Sequence, residues 1–505
     1  MKLSNTYDLL VIGGGINGAG IACDAAGRGL KVLLCEASDL ASATSSASSK
    51  LIHGGLRYLE QYEFRLVREA LAEREVLLMK APHLIWPLRF VLPDQSGMRP
   101  RWMIRAGLCL YDNLYRRKLI QGSRSVDLSA LPVGRALKPQ FTKGFAYWDC
   151  WVDDSRLVIA NARAATSHGA DILTRSQFAA AMPLDDGWQI TLRDMDSGAS
   201  QTLFARAIVN AAGPWVDRVN GAVRMDRDSA PSNERKVRLI KGSHIVVPRI
   251  VDGDDALILQ NEDGRVIFVL PYEGRYSLIG TTDIEFHDAP ETASVSEPEV
   301  AYLLDVVEKF CRTRFEPSDI VWEFSGVRPL YDDDADEARK VTRDYRLNVT
   351  RARNGASLLS VFGGKITTYR ALAEDAVSKL QDLFPGMGAK WTGTATLPGG
   401  DIGATDFDTF VATLGNAYPE LPGDLVRALA RRHGTAAKDL LGDATTMGDL
   451  GKRIGHSLYE REALYLKRHE WAKQPDDILW RRTKAGLHLD ADGLATATRS
   501  LEAIL

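Results

Sequence analysis

Cysteine is scarce in this chain. Five cysteines are scattered over 505 residues, at positions 23, 35, 109, 150 and 311. None belongs to a C-x-x-C pair, which argues against a disulfide framework and against a zinc or iron–sulfur centre. The expectation is buried thiols in a reducing, cytoplasmic compartment, with no metal. Long apolar runs are also missing. No window approaches the roughly 18 residues that a spanning helix requires, so membrane contact, where there is any, is expected to be peripheral. Residues 7–16 are apolar but lack the charged start and cleavage site of a secretory leader. Neither sign of charge prevails: 63 Lys and Arg against 66 Asp and Glu leave −3, with no basic field for nucleic acid. The triplet Asn348-Val349-Thr350 has sequon spacing, which a cytoplasmic chain would not use.

What is present suits a soluble globular protein, with 45% hydrophobic and 26% charged residues. At roughly 100–200 residues per domain, the length predicts two to four domains. Residues 7–12 form a short apolar run, as in a buried parallel strand. A helix is expected over 16–29, rich in Ala and Gly and ended by Gly29, followed by a second strand over 31–36. Residues 38–50 are a Ser/Thr/Ala stretch. Residues 64–82 have helical spacing and many Glu/Arg pairs, predicting an exposed amphipathic helix. Strand-like alternation appears over 186–210, a surface loop over 219–236, and successive strands of a second sheet over 237–285. A helix is expected over 366–384. Clusters of Pro and Gly at 385–388 and 398–400 mark a boundary, after which the pattern is helical without strand-like alternation. The acidic run 331–337 reads as a solvated loop, lacking the glycine and spacing of a calcium loop.

The first stretch that carries chemistry is Gly13-x-Gly15-x-x-Gly18. Gly13 permits a tight turn, Gly15 lets backbone approach a pyrophosphate, and Gly18 lets helix and strand pack closely. The helix N-terminus then offers N–H groups and a favourable dipole to an anion. Glu36 ends the second strand where a carboxylate accepts ribose hydroxyls. This pattern predicts a bound dinucleotide but cannot separate NAD from FAD. The second stretch, residues 45–58, sets Gly54-Gly55 beside His53 and Arg57. Two glycines allow close approach of a flat ring system, and an arginine suits a carboxylate or phosphate.

These stretches, G-G-G-I-N-G-A-G-I-A-x-D-A-A-x-R-G-L at 13–30 and T-S-S-A-S-S-K-L-I-H-G-G-L-R-Y-L-E at 44–60, resemble the FAD-dependent glycerol-3-phosphate dehydrogenases of the bacterial, aerobic respiratory type. The resemblance continues through D-C-W-V-D-D-S-R-L at 149–157, V-N-A-A-G-P-W at 209–215 and R-L-I-K-G-S-H-I-V-V-P at 238–248. It extends to I-G-T-T-D at 279–283, S-G-V-R-P-L at 325–330 and V-F-G-G-K-I-T-T-Y-R at 361–370. It implies an α/β fold with an α+β second domain: a Rossmann-like FAD-binding domain, a β-sheet substrate domain and a C-terminal helical cap. The FAD-binding domain is expected over about 1–80, 150–215 and 355–388. The substrate domain would occupy about 81–149 and 216–354, and the cap 389–505.

The resemblance further implies oxidation of glycerol 3-phosphate to dihydroxyacetone phosphate, by hydride transfer from C2 to FAD and onward transfer of electrons to membrane quinone. The implied cofactor contacts are Gly13, Gly15, Ile16, Asn17, Gly18, Glu36, Thr44, Ser45, Ser49, Lys50, Leu51, His53, Gly54, Gly55, Ala211, Gly213, Gly364, Lys365, Ile366 and Thr367. A small dianion with a secondary alcohol needs cations for its phosphate and a proton acceptor near C2. Arg57 and Arg328 are expected at the phosphate, with Tyr58 as a hydrogen-bond partner and Thr282 as a further contact. Lys365 would bind substrate or stabilise charge on reduced flavin. His244 is the expected base, since an ordinary imidazole titrates near neutrality, and His53 is its rival. An oxidase using oxygen, a relative acting on amino or hydroxy acids, and a flavin-binding partner protein without turnover are the alternatives.

Residues 98–120 mix Arg99, Arg101, Arg105, Arg116, Arg117 and Lys118 with Trp102, Met103, Ile104, Leu108, Leu110 and Leu114. Such a segment suits an anionic lipid surface, or equally a helix packed on the protein with snorkelling arginines. Residues 471–484, with Trp480-Arg481-Arg482, are a second candidate. The expected location is the cytoplasm, peripherally on the inner face of the cytoplasmic membrane, and a homodimer is among the expected assemblies.

Overall fold

A computed structural model describes residues 6–95, 100–184, 186–226, 237–331, 344–402 and 406–505, apart from the side chains of Arg57 and Gln61. The acidic run beyond Tyr331, residues 227–236, and Met98 and Arg99 of the basic segment lie outside the described residues.

Strand Thr6–Ile12 is enclosed from Leu9 onward: Leu9, Leu10 and Val11 are all 0% exposed. It runs parallel to Ser200–Asn210 on one side and to Val32–Cys35 on the other. Burial on both faces is why it reads as an unbroken apolar run rather than an alternating one. The first sheet continues with Asp171–Leu173 beyond Val32–Cys35, with Ser357–Phe362 and Arg346–Arg351 beyond Ser200–Asn210, and with the hairpin Ser176–Leu184 and Gly187–Asp194, whose second strand pairs antiparallel with the start of Ser200–Asn210. Helix Ile16–Gly27 packs between Asp154–Ser167 and Tyr369–Ser378. Its small residues are a packing requirement, since a Cβ on Gly20 would stand 2.8 Å from the ring of Tyr369.

The second sheet has ten strands among the described residues. Strands Val237–Pro248, Tyr276–Gly280, Val266–Tyr272 and Ala256–Gln260 form antiparallel neighbours, and Trp322–Tyr331 flanks Val237–Pro248 on its other side. The predicted strands over 237–285 are all here. Two expected boundaries move. Arg346–Arg351 pairs with Ser357–Phe362 in the first sheet, so the second unit ends before 354. Lys143–Val152 and the short Leu51–Ile52 belong to the second sheet, so the two units interleave more finely than expected.

Three elements differ from expectation. Helix Phe64–Lys80 is largely buried rather than exposed. Its charges serve other elements: Arg74 pairs with Asp149 at 2.5 Å, and Glu73 with Arg370 at 2.5 Å. Residues 219–221 close the helix Val216–Gly221 instead of starting a loop. The C-terminal region is mainly helical but contains a hairpin, Arg453–Gly455 against Leu458–Tyr459.

The C-terminal unit is anchored by buried charge. Arg156, 4% exposed, donates to the carbonyl of Arg432 at 2.6 Å and to both oxygens of Glu470. Burial pushes the Glu470 carboxyl up, but Arg156 and then His433 outweigh it and hold it at about 2. Removing the cation by Arg156→Met leaves a buried carboxylate with little compensation, which costs about 3–5 kcal/mol. The expected result is a lower unfolding midpoint and faster proteolysis within 389–505; an unchanged midpoint would rule out this anchor.

Candidate functional site

The glycine loop is shaped by contacts that admit no side chain. A Cβ on Gly18 would lie 1.9 Å from the carbonyl oxygen of Gly13, and one on Gly13 (φ +108°) 2.6 Å from that of Ala211. Ser45 reaches back so that its Oγ accepts the Ile16 N–H at 2.9 Å. Glu36 accepts from the N–H of Gly14 at 2.7 Å and of Ser38 at 2.8 Å. Burial raises its pKa, and those two backbone donors oppose the shift. Asn17 donates to the carbonyl of Gly363 at 3.2 Å, while its buried Oδ1 has no hydrogen-bond partner.

These groups open on a cavity of about 980 Å³. One wall is the first sheet's loop region, with Gly13, Gly15, Ile16, Asn17, Glu36, Ala211 and Gly213. Thr44, Ser45, Ser49, Leu51, His53, Gly55 and Tyr58 contribute from the serine-rich stretch, and Gly364, Lys365, Ile366 and Thr367 from the turn after Ser357–Phe362. The opposite wall is the second sheet: Gly242, His244, Phe268, Thr281, Asp283, Gly326 and Arg328.

His244 is clamped on that wall. It pairs across the sheet with Gly280 on one side and Phe324 on the other. The Phe324 ring stacks on the imidazole at 4.8 Å and 14°. A Cβ on Gly280 would stand 2.0 Å from Cδ2, so only glycine leaves room for the ring. Nε2 shares a 2.9 Å hydrogen bond with Ser49 Oγ, and buried Nδ1 has no hydrogen-bond partner. Burial, then the charges of Arg328 and Lys50, push the imidazole pKa well below its ordinary value. The ring is therefore neutral at pH 7 and able to accept a proton. Arg328 is ion-paired with Asp283 and donates to Thr281 Oγ1 at 3.2 Å. Lys365 Nζ lies 3.7 Å from the Tyr58 ring centroid.

Four expected contacts are placed elsewhere. Thr282 faces away from the cavity, its hydroxyl donating to Glu299 at 2.8 Å, and Thr281 lines the cavity in its stead. Lys50, 1% exposed, is ion-paired with Asp154 at 2.8 Å. Gly54 is a packing glycine, its N–H donating to Tyr111 Oη at 2.9 Å. Gly18 acts in the turn rather than on the cavity surface. The Arg57 side chain lies outside the described residues. Gly242, Asp283 and Gly326 were not anticipated. Strand alternation from His244 points to Gly242, but pairing of Asp283 with Arg328 needs the fold.

The model of the FAD dependent oxidoreductase family matches residues 8–370. The chain belongs to that family. A second model, the C-terminal domain of alpha-glycerophosphate oxidase, matches residues 391–504. The aerobic glycerol-3-phosphate dehydrogenase of Escherichia coli is 51% identical over 487 residues, 96% of this chain and 95% of its own. The D-erythritol 1-phosphate dehydrogenase of Brucella abortus is 51% identical over 489 residues, 97% of this chain and 96% of its own. A glycerol-3-phosphate dehydrogenase from Bacillus halodurans, solved in complex with FAD, superposes with a TM-score of 0.75 at 26% identity, covering 99% of this chain and 95% of that one. FAD is the cofactor of this flavoprotein, and the residues fit it. The side-chain-free turn at Gly13 and Gly18 leaves the helix N-terminus open to a pyrophosphate, Glu36 is fixed for ribose, and the unpartnered Asn17 Oδ1 sits between the loop and Gly363.

Proposed function

We propose that the protein oxidises sn-glycerol 3-phosphate to dihydroxyacetone phosphate and passes the electrons to a membrane quinone. The observation that carries this reading is a neutral imidazole and a guanidinium on one sheet wall facing the flavin cradle, in a chain half identical to glycerol-3-phosphate dehydrogenases along nearly all its length. Bound FAD supplies the acceptor for the hydride that leaves C2. His244 takes the proton of the C2 hydroxyl, its plane set by Phe324 and Gly280 and its Nε2 by Ser49. Arg328, aimed by Asp283 and Thr281, meets the phosphate together with Tyr58 and Lys365. His53 is the alternative base: it lines the same cavity, and its backbone N–H is held by Thr367 Oγ1 at 3.3 Å.

Helix Arg101–Asn113 supports contact with an anionic membrane surface. It turns Trp102 (70% exposed), Met103 and Leu110 outward, while Met103, Ile104 and Leu108 also line the cavity. An apolar acceptor embedded in lipid would meet the cavity at this helix. Residues 471–484 do not share that role. Trp480 stacks on Trp322 at 5.1 Å, and Arg481 and Arg482 both hold buried Asp39. Among the described residues no helix is long and apolar enough to cross a membrane.

A second reading is favoured by the equally similar Brucella relative: a four-carbon polyol phosphate as substrate. Both readings require anaerobic bleaching of the bound flavin by a polyol phosphate, and a higher kcat/KM on glycerol 3-phosphate than on D-erythritol 1-phosphate selects the first. Re-oxidation by added quinone faster than by oxygen supports quinone as acceptor, and dominant peroxide production would replace it. Absence of bleaching by either substrate would leave a flavin-binding partner without turnover. The variant His244→Gln is expected to keep its FAD and lose about 10²–10⁴-fold in kcat. Wild-type kcat should stay level as pH falls through 6.5, because the folded-state pKa lies lower; a variant within threefold of wild type would move the role to His53. Charge reversal of Arg116, Arg117 and Lys118 should reduce co-sedimentation with anionic liposomes, and undiminished binding would exclude this face.

A further inference from the structure

Helix Glu297–Phe310 begins with a capping box in which Glu299 accepts from Ser296 N at 3.0 Å and Ser296 Oγ at 2.7 Å. A capping box needs nothing more of its carboxylate. Here three further donors converge on it from the second sheet: Ser243 Oγ at 2.7 Å, Thr282 Oγ1 at 2.8 Å and Lys241 Nζ at 2.8 Å. Ser243 Oγ also bonds Ser325 Oγ at 2.7 Å, and Ser243 N–H donates to Thr282 Oγ1 at 3.0 Å. Glu299 is 3% exposed, and Ser243 and Thr282 are at most 1% exposed. Burial raises the Glu299 pKa, but hydrogen bonds led by that of Lys241 overcome it and hold the carboxyl at about 2.

The positions of these donors are what give the cluster meaning. Successive residues of a strand face opposite sides of the sheet. Ser243 lies between Gly242 and His244, both on the cavity. Thr282 lies just past the strand Tyr276–Gly280, between Thr281 and Asp283, which line the cavity and bond Arg328, while its own hydroxyl turns to Glu299. Ser325 lies between Phe324, which stacks on His244, and Gly326, which lines the cavity. One carboxylate thus fastens the back of two of these segments directly and of the third through Ser243, and their front carries the imidazole and the guanidinium.

We propose that Glu299 is a positioning residue for the substrate site, setting His244 and the Arg328–Asp283 pair from behind the sheet. It rests on the functional reading given above. The substrate's phosphate and hydroxyl must be held together against the flavin, and small misplacements of either group cost rate steeply. Loss of the carboxylate charge removes the ion pair of Lys241 and loosens the hydroxyls of Ser243 and Thr282, so both groups drift, while the glycine loop and Glu36, carried by the first sheet, keep their own contacts.

The test uses the full-length holoenzyme with Glu299→Gln and, as a milder change, Thr282→Val. Three quantities are read: flavin per chain, the rate of anaerobic flavin reduction by glycerol 3-phosphate per bound flavin, and the Kd of dihydroxyacetone phosphate by calorimetry. Glu299→Gln is expected to retain its flavin, lose about tenfold in kcat/KM per flavin and bind the product more weakly, as for lost charge-assisted bonds. Thr282→Val should lose about threefold, since it removes the hydroxyl's bonds to Glu299 and to the Ser243 N–H but leaves the Glu299–Lys241 ion pair in place. A wild type that is not reduced by glycerol 3-phosphate overturns the functional reading. A reduced wild type with an equally fast and equally tight Glu299→Gln overturns this one. If Glu299→Gln emerges without flavin, Thr282→Val decides: unchanged kcat/KM and Kd, or loss of flavin there too, overturns the proposal.

Discussion

The site depends first on a buried ion pair at the start of helix Asp154–Ser167. Asp154, 0% exposed, accepts from Lys50 Nζ at 2.8 Å and from Ser48 Oγ at 2.7 Å. Lys50 sits at φ +56°, a left-handed backbone that a lysine adopts only when its surroundings dictate it. Its ammonium also donates to Ser46 O at 3.0 Å and lies 5.4 Å from the Phe324 ring. A buried charge left alone is costly, and here every partner it needs comes from the chain around it. Between Ser48 and Lys50 stands Ser49, whose hydroxyl meets His244. The ion pair therefore fixes where the serine-rich stretch crosses from the flavin cradle to the imidazole.

The C-terminal unit reaches the same place. Asp153, next to Asp154, is held by Lys484, and Asp39, at the head of the serine-rich stretch, by Arg481 and Arg482. This unit is thus a clasp on the serine-rich loop that lines the cavity, closed by the Trp480–Trp322 stack against the second sheet. A tryptophan followed by two arginines has the chemistry of a lipid-facing segment and of an internal clasp alike. The carboxylates that decide between them lie over 400 residues away in Asp39 and over 300 away in Asp153.

The same distinction separates what could be read from the chain alone. The strand–glycine loop–helix unit with Glu36 is local where it was legible: Gly18 packs on Gly13 and Glu36 holds the Gly14 N–H, all within one βαβ unit. The strands over 237–285 were legible because β-forming residues are concentrated there. Thr282 was misplaced because strand Tyr276–Gly280 ends just before it, so only the bond to Glu299 reveals which threonine faces the cavity. The burial of Phe64–Lys80 was hidden for a related reason. Glu and Arg at helical spacing look like solvated pairs until Asp149 and Arg370 appear as their partners.

Glycine on the second-sheet wall has a purpose different from glycine in the dinucleotide loop. A Cβ on Gly242 would lie 2.4 Å from Arg328 Nη2 and 2.6 Å from Thr281 Oγ1, and one on Gly280 would strike the imidazole. The wall therefore omits side chains where Arg328 folds across the sheet and where His244 lies flat. Beyond those groups it offers the cavity Phe268, Ile258 and Val266 together with Gln260 and Arg265. The imidazole, the Thr281–Asp283 turn and the guanidinium meet from three neighbouring segments, with apolar side chains lining the same wall. Such a surface grips a small ligand by one charged end and one hydroxyl, which are the two features a short polyol phosphate presents.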